Sequence, residues 1–110
     1  MQQLLNNRKD LAEGWARLEA QVLRTGLNPD LIAWSQSRVR QLLGVTQDCP
    51  FDPPEEAIAN FVELYFMDVH AITDEQAGDA SAVLGDALFV ALVVSLGVTE
   101  ARARMELMLA

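Results

Sequence analysis

The sequence holds very few of the residues from which enzymes most often build reactive sites. It contains one cysteine, Cys49, and one histidine, His70, among 110 residues. A single cysteine excludes a disulfide within the chain and any Cys-x-x-Cys pair, and it is typical of a protein in the reducing cytoplasm. A metal site needs three or four converging ligands, and carboxylates would have to supply most of them here. We therefore expect neither a metal nor another cofactor.

Positive charge is also scarce, and it is absent from the middle of the chain. No lysine or arginine lies between Arg40 and Arg102, and the formal net charge is −8. Residues 1–40 contain six basic and four acidic side chains, whereas residues 41–110 contain two basic and twelve acidic ones. Binding to nucleic acid or to an anionic membrane depends on lysine and arginine. We expect no nucleic-acid partner, no membrane partner, and an acidic half that is mainly a solvated surface.

Long apolar runs and strand-like alternation are missing as well. The longest apolar run covers residues 87–98, with Ser95 inside it, and is shorter than the roughly 20 residues that cross a membrane. We interpret this run as a buried helix. Because no segment alternates apolar and polar residues as a strand does, residues 1–110 are predicted to form one all-α domain of about five helices. The apolar share of 51% is high for so short a chain and favours a subunit interface.

Capping residues and apolar spacing place the first two helices. The first is predicted over residues 8–24, with Asn7 as its N-cap and Gly26 just beyond its end. The second is predicted over residues 28–44, where an asparagine cap is followed by a proline at the first helical position. The first helix has one apolar stripe at helical spacing, formed by Leu11, Trp15, Leu18 and Val22.

The other three helices are placed in the same way. The third is predicted to open at Asp52, acting as its cap, and to break near residues 70–72. Residues 73–76 form a capping box that opens a short fourth helix. The fifth is predicted over residues 85–109, and Gly97 inside it predicts a kink or a close helix contact. The third helix is predicted to be central, because apolar residues surround most of it: Ile58, Phe61, Val62, Leu64, Tyr65, Phe66 and Val69.

The single histidine lies near two carboxylates in the sequence. Glu63 and His70 are seven residues apart, so a continuous helix would place both on one face. Together with Asp68 they form a candidate acid and base group, since a histidine beside a carboxylate can transfer protons. A histidine at a helix end that donates to a carboxylate, or that lies at the negative end of the helix dipole, explains the same pattern without catalysis.

One stretch of the chain resembles a known protein family. Residues 61–76 have the sequence FVELYFMDVHAITDEQ. This is similar to a Phe-x-Glu-x-Phe-x-x-Asp-x-His-Gly-Ile-Thr-Asp-Glu stretch of the carboxymuconolactone decarboxylase family, which includes the alkylhydroperoxidase D-like proteins. Residues 84–97 resemble the long helix that follows in that family, and residues 31–44 resemble the helix that leads into its active site. The resemblance implies an all-helical fold that assembles as dimers, trimers or hexamers.

The resemblance also implies that the peroxidase chemistry of this family is missing. Its peroxidase members use a Cys-x-x-Cys pair, a following histidine and an upstream glutamate. The matching positions hold Ala33, Val45 and Asp48 instead of the glutamate and the two cysteines. The lone Cys49 lies one residue beyond the second of these positions, and acidic neighbours disfavour the reactive thiolate form. A cycle between thiols and a disulfide cannot run on these residues.

Three functional hypotheses remain open. In the first, the chain is a shortened, non-thiol member of this family that forms a cytoplasmic homo-oligomer and binds a small molecule or a partner subunit. In the second, it is an enzyme of the same fold that acts on a small organic substrate, with His70 as acid or base and Glu63 or Asp68 as its partner. In the third, it is an unrelated helical module for protein interaction.

Overall fold

The fold is built entirely from helices. The computed structural model describes residues 2–109 and, within them, the side chains of residues 9, 10 and 12–109. Over that range it contains no strand, and 78% of the chain is helical. The five helices are α1 (Gln2–Leu23), α2 (Pro29–Leu42), α3 (Glu56–Met67), α4 (Asp74–Leu84) and α5 (Asp86–Leu109), with a 3-10 turn at Val69–Ala71 between α3 and α4. The predicted all-α class with five helices is confirmed.

Local capping chemistry fixes where α2 and α4 begin. The side chain of Asn28 accepts a hydrogen bond from the backbone N–H of Asp30 at 2.8 Å, and Pro29 is the first residue of α2. In α4, Thr73 Oγ1 accepts from the backbone N–H of Gln76 at 3.1 Å, and Gln76 Oε1 accepts from the backbone N–H of Thr73 at 3.0 Å. These hydrogen bonds confirm both predicted caps. The caps could be predicted because each bond joins residues no more than three positions apart in the sequence.

Two other predicted helix starts are wrong. Helix α1 begins at Gln2, so Asn7 lies inside it and does not cap it; the glutamine and leucine residues before position 8 are good helix formers. Helix α3 begins at Glu56, with Glu55 at the cap position and no side-chain cap bond. Asp52 cannot open this helix, because the two prolines that follow it hold their preceding residues out of helical conformation.

The core lies between α2, α3, α4 and α5. Phe61 on α3 packs against Phe89 on α5, with ring centroids 4.9 Å apart. A Cβ atom at Gly97 would lie 3.7 Å from the hydroxyl of Tyr65, which is an ordinary van der Waals distance, so the packing there does not require a glycine. The most deeply buried apolar residues of this cluster include Leu27, Trp34, Val39, Ile58, Phe61, Val62, Leu92 and Leu96.

The described side chains of α1 contribute little to this core. Among them only Val22 is buried, while Trp15 is half-buried and Leu18 is exposed. Leu11, the first member of the predicted apolar stripe, lies outside the described side chains. Among the described members of the stripe, only Val22, near the C-terminal end of α1, is buried in the core.

The capping box of α4 gives a direct test of the local account. Replacing Thr73 by alanine removes the side-chain acceptor for the backbone N–H of Gln76. We expect the free energy of unfolding to fall by about 1 kcal/mol. Serine at the same position keeps the hydroxyl and should retain most of the stability. Urea unfolding followed by circular dichroism measures both variants, and equal losses for alanine and serine would contradict the assignment.

Candidate functional site

The structure separates Glu63 from His70, two of the three predicted acid and base residues. Glu63 lies on α3, where its Oε1 accepts a hydrogen bond from Arg38 Nε at 3.0 Å and lies 2.9 Å from Arg38 Nη2. Arg38 Nη1 in turn donates to Gln41 Oε1 at 2.7 Å. The carboxylate of Glu63 therefore forms an ion pair that links α3 to α2.

His70 lies in a different place from Glu63. Helix α3 ends at Met67, because Asp68 adopts non-helical backbone angles (φ −158°, ψ 86°). His70 then lies in the 3-10 turn with an exposed side chain. It lines an open cleft of about 340 Å³ together with Asp68 and Glu100, and Glu63 does not line this cleft. The prediction that Glu63 and His70 share a helix face is wrong, whereas Asp68 and His70 do share a cleft.

This histidine cleft offers little of what acid–base catalysis requires. Asp68 and His70 are exposed, and Glu100 is half-buried. Within the described residues, the side chain of His70 has no hydrogen-bond or ion-pair partner that would orient it. A catalytic base is normally held in place by a second group and screened from water. Sequence reasoning missed Glu100 because it lies on α5, far along the chain, and no local pattern joins it to the histidine.

The side chains at the positions that match the family's peroxidase residues also include no thiol. Ala33 is half-buried on α2, while Val45 and Asp48 lie in the irregular segment after that helix. Cys49 is a half-buried free thiol that packs against the hydrophobic core. Among the residues whose side chains are described, no group of three or more His, Cys, Asp or Glu residues could hold a metal ion.

A charged cluster joins three of the helices. Nη1 of Arg40 on α2 donates to both carboxylate oxygens of Glu106 on α5, each at 2.9 Å. Arg102 on α5 pairs with Glu19 on α1, and its Nε lies 3.3 Å from Glu106. A cleft of about 280 Å³ lies beside this cluster. Because two arginines meet two glutamates, we interpret the cluster as a link between helices rather than as an ion-binding site.

An apolar groove with exposed side chains lies between α1 and α5. Its volume is about 440 Å³. On its rim, Val90 is 60% exposed, Val94 is 53% exposed and Leu18 is 40% exposed. Among the lining residues, only one amide and one hydroxyl side chain interrupt this apolar surface. The lining residues are Leu18, Gln21 and Val22 of α1, Thr25 in the turn after α1, and Ala87, Val90, Ala91, Val94 and Val98 of α5. We call this surface the α1/α5 groove.

The groove exists because α5 is apolar on two sides. Leu92 and Leu96 are fully buried in the core, whereas Val90 and Val94 lie on the groove side. The prediction that the apolar run 87–98 is buried is therefore wrong for one face of the helix. A helix that is apolar all round is normally covered on all sides. Within the described residues the chain covers one side of α5 and leaves the other open.

Comparisons with known proteins do not assign the chain to a family. No protein-family model, no curated protein and no solved structure matches it. In the described residues no single helix is long and apolar enough to cross a membrane, and only α4 and α5 taken together, bent by 112° at their junction, meet that length and composition.

Proposed function

We propose that this protein is a shortened member of the carboxymuconolactone decarboxylase and alkylhydroperoxidase D-like family that works as a subunit of a homo-oligomer, without thiol peroxidase chemistry. The observation that carries the proposal is the α1/α5 groove. Exposed apolar patches of this kind on a small protein mark a site of association.

The chemistry of the groove favours a protein surface over a small molecule as its occupant. Sites for small molecules are concave and bring several well-placed polar groups together around the ligand. The polar side chains among the lining residues are Gln21 on α1 and Thr25 in the turn that follows it. No charged side chain lines the groove, so nothing there would orient a polar substrate. Valine and leucine side chains on two adjacent helices are suited to packing against another helix.

The family part of the proposal is supported by the order and capping of the helices. The resemblance implies helices over residues 31–44 and 84–97 and a capped start after residue 72. Helices α2 and α5 cover most of those segments, and Thr73 caps α4 through a capping box. The 3-10 turn that holds His70 also falls inside the stretch that carries the resemblance.

The absence of thiol chemistry follows from the residues around the end of α2. Reduction of a peroxide by a thiol leaves an oxidised sulfur, which a second thiol must reduce through a disulfide. Cys49 is the only thiol in the chain, and Val45 and Asp48 occupy the positions of the family's pair. Cys49 also packs against the core, which limits the access of a peroxide.

We expect the purified protein to show no catalytic reduction of an organic hydroperoxide with a dithiol donor. Cys49→Ser should leave this background rate unchanged, because the thiol has no partner with which to complete a cycle. A coupled assay that follows consumption of the dithiol measures both proteins. Turnover that disappears in Cys49→Ser would contradict this part of the proposal.

The assembly itself is tested by light scattering on the eluting protein. A chain of 12.1 kDa should elute at a multiple of that mass at concentrations on the order of 100 µM, where even a weak dimer is populated. A mass of one chain under these conditions would overturn the proposed oligomer.

A further inference from the structure

The cleft beside the charged cluster lies where three helices meet. Helix α5 packs against both α1 and α2, so it forms the floor of the cleft between the other two. The residues that α5 contributes are three and four positions apart, which places them on one face of the helix. None of the lining residues belongs to the α1/α5 groove. They are Glu19 of α1, Gln36 and Arg40 of α2, and Thr99, Arg102 and Glu106 of α5.

Two neutral polar side chains of this cleft have no hydrogen-bond partner. Thr99 is only 9% exposed, yet within the described part of the chain its hydroxyl neither donates nor accepts a hydrogen bond. The side-chain amide of Gln36, which is half-buried, is unpaired there as well. Buried polar groups in folded proteins are nearly always hydrogen-bonded. An unpaired hydroxyl that lines a cleft therefore indicates a partner from outside the chain.

The charged residues also keep hydrogen-bonding groups that the cluster does not use. Arg40 donates to Glu106 through Nη1 alone, so its Nε and Nη2 remain free among the described residues. Glu19 accepts from Arg102 through Oε1, and its Oε2 has no partner in the same part of the chain. Glu106, in contrast, is paired with both arginines. The cleft thus offers free donors on α2 and a free acceptor on α1.

The balance of charge decides which class of ligand fits these free groups. Two arginines and two glutamates leave the cleft without net charge, so an anion or a cation would meet one attractive and one repulsive wall. A molecule that carries both charges meets two attractive walls. The volume of about 280 Å³ lies just below the range of sites for drug-sized ligands, which starts at about 300 Å³. The ligand is therefore a small zwitterion.

We propose that this cleft binds a free α-amino acid through its carboxylate and ammonium groups. The carboxylate accepts hydrogen bonds from the free donors of Arg40 and from the hydroxyl of Thr99, and the ammonium group donates to Oε2 of Glu19. Hydrogen bonds that involve charged groups are the stronger class. Because the cleft is separate from the α1/α5 groove, the proposal goes beyond the homo-oligomer and does not depend on it.

Titration with L-alanine and with its two halves tests the proposal by NMR. Propionate lacks the ammonium group and ethylammonium lacks the carboxylate, while all three have similar size. In nitrogen–proton correlation spectra at fixed ionic strength, L-alanine should shift the side-chain signals of Gln36 and Arg40 and saturate with a Kd on the order of 1 mM. Propionate and ethylammonium should each bind at least about tenfold more weakly, because each leaves one charged wall unpaired.

Two results of these titrations would overturn the proposal. One is the absence of any saturable shift with L-alanine up to about 20 mM, well above the expected Kd. The other is equal binding of L-alanine and propionate, which would indicate a site for anions alone. Saturable binding of L-alanine with weak binding of both halves supports it.

Substitutions at Thr99 locate the ligand in the cleft. Thr99→Val removes the hydroxyl and keeps the shape of the side chain, so L-alanine should bind about tenfold more weakly to a folded protein. Thr99→Ser restores the hydroxyl and should bind like the wild type. Ser95→Ala is the matched control, because Ser95 is buried one turn earlier on α5 and does not line the cleft. Equal affinities for Thr99→Val and wild type, or an equal loss in Ser95→Ala, would contradict the assignment.

A change at Glu19 tests the orientation of the ligand. Glu19→Gln removes the charge that the ammonium group is proposed to meet. The preference for L-alanine over propionate should then disappear, whatever happens to the absolute affinities. Circular dichroism checks that the variant is folded. A preference of tenfold that persists in Glu19→Gln would overturn the proposed contact.

Discussion

Replacing Val94 by aspartate is expected to convert the protein from an oligomer into a monomer. Val94 is 53% exposed in the single chain and lies on the groove side of α5. Association would bury a carboxylate there with no arginine, lysine or histidine among the lining residues to pair with it. An unpaired charge at a dry contact costs several kcal/mol. In a two-fold contact each copy carries the change, so we expect the dissociation constant to rise at least about 100-fold.

The matched control for this substitution is Val83→Asp. Val83 is a half-exposed valine on α4 that does not line the groove. Both changes introduce the same charge, and valine and aspartate have similar helix propensities. Light scattering should show a monomer for Val94→Asp and the wild-type mass for Val83→Asp. Equal masses for the two variants would show that the groove is not the contact surface.

The second large effect is expected in the core. Leu92 on α5 is fully buried within the hydrophobic cluster. Leu92→Ala should lower the free energy of unfolding by about 2–5 kcal/mol, because it removes buried methyl groups and leaves a cavity. A loss of this size is a large fraction of the stability of a small domain.

The core measurement must be kept apart from association. Unfolding of an oligomer depends on protein concentration, so the comparison belongs in the Val94→Asp background. Leu107→Ala serves as the control, because Leu107 lies on the same helix and is exposed. It should change the unfolding free energy by less than about 0.5 kcal/mol. Similar losses for Leu92→Ala and Leu107→Ala would contradict the division of α5 into a core side and an exposed side.

Much of the fold could be predicted from the sequence because it is decided locally. The asparagine and proline that open α2 and the threonine and glutamine that open α4 lie within three residues of their partners. Local hydrogen bonds of this kind can be predicted from the order of the residues alone. The start of α3 was missed because a competing local preference, that of two consecutive prolines, prevails over the capping pattern at Asp52.

The candidate site could be predicted only in part, because it depends on contacts between distant segments. Helix α3 ends at Met67, and no glycine or proline follows that would have predicted this end. The early end of the helix separates Glu63 from His70. Arg38, which binds Glu63, comes 25 residues earlier in the chain. No spacing rule connects such a pair before the helices are packed.

The sequence indicates that some apolar surface stays uncovered, but it does not show that this surface is the α1/α5 groove. The apolar share of 51% indicates more apolar surface than a small domain buries by itself. The run 87–98 contributes to that surplus, because residues on both sides of α5 are apolar. Which side the core covers is decided by α2, α3 and α4, and composition contains no such information.

The most direct test of assembly through the groove is the labelling rate of a thiol at Val94 as a function of protein concentration. Val94→Cys in a Cys49→Ser background keeps a small apolar side chain there. A maleimide reagent should react quickly at low concentration and at least about ten times more slowly at concentrations where the protein associates. Val83→Cys should react at one rate throughout. A rate at Val94→Cys that does not change with concentration would contradict the account.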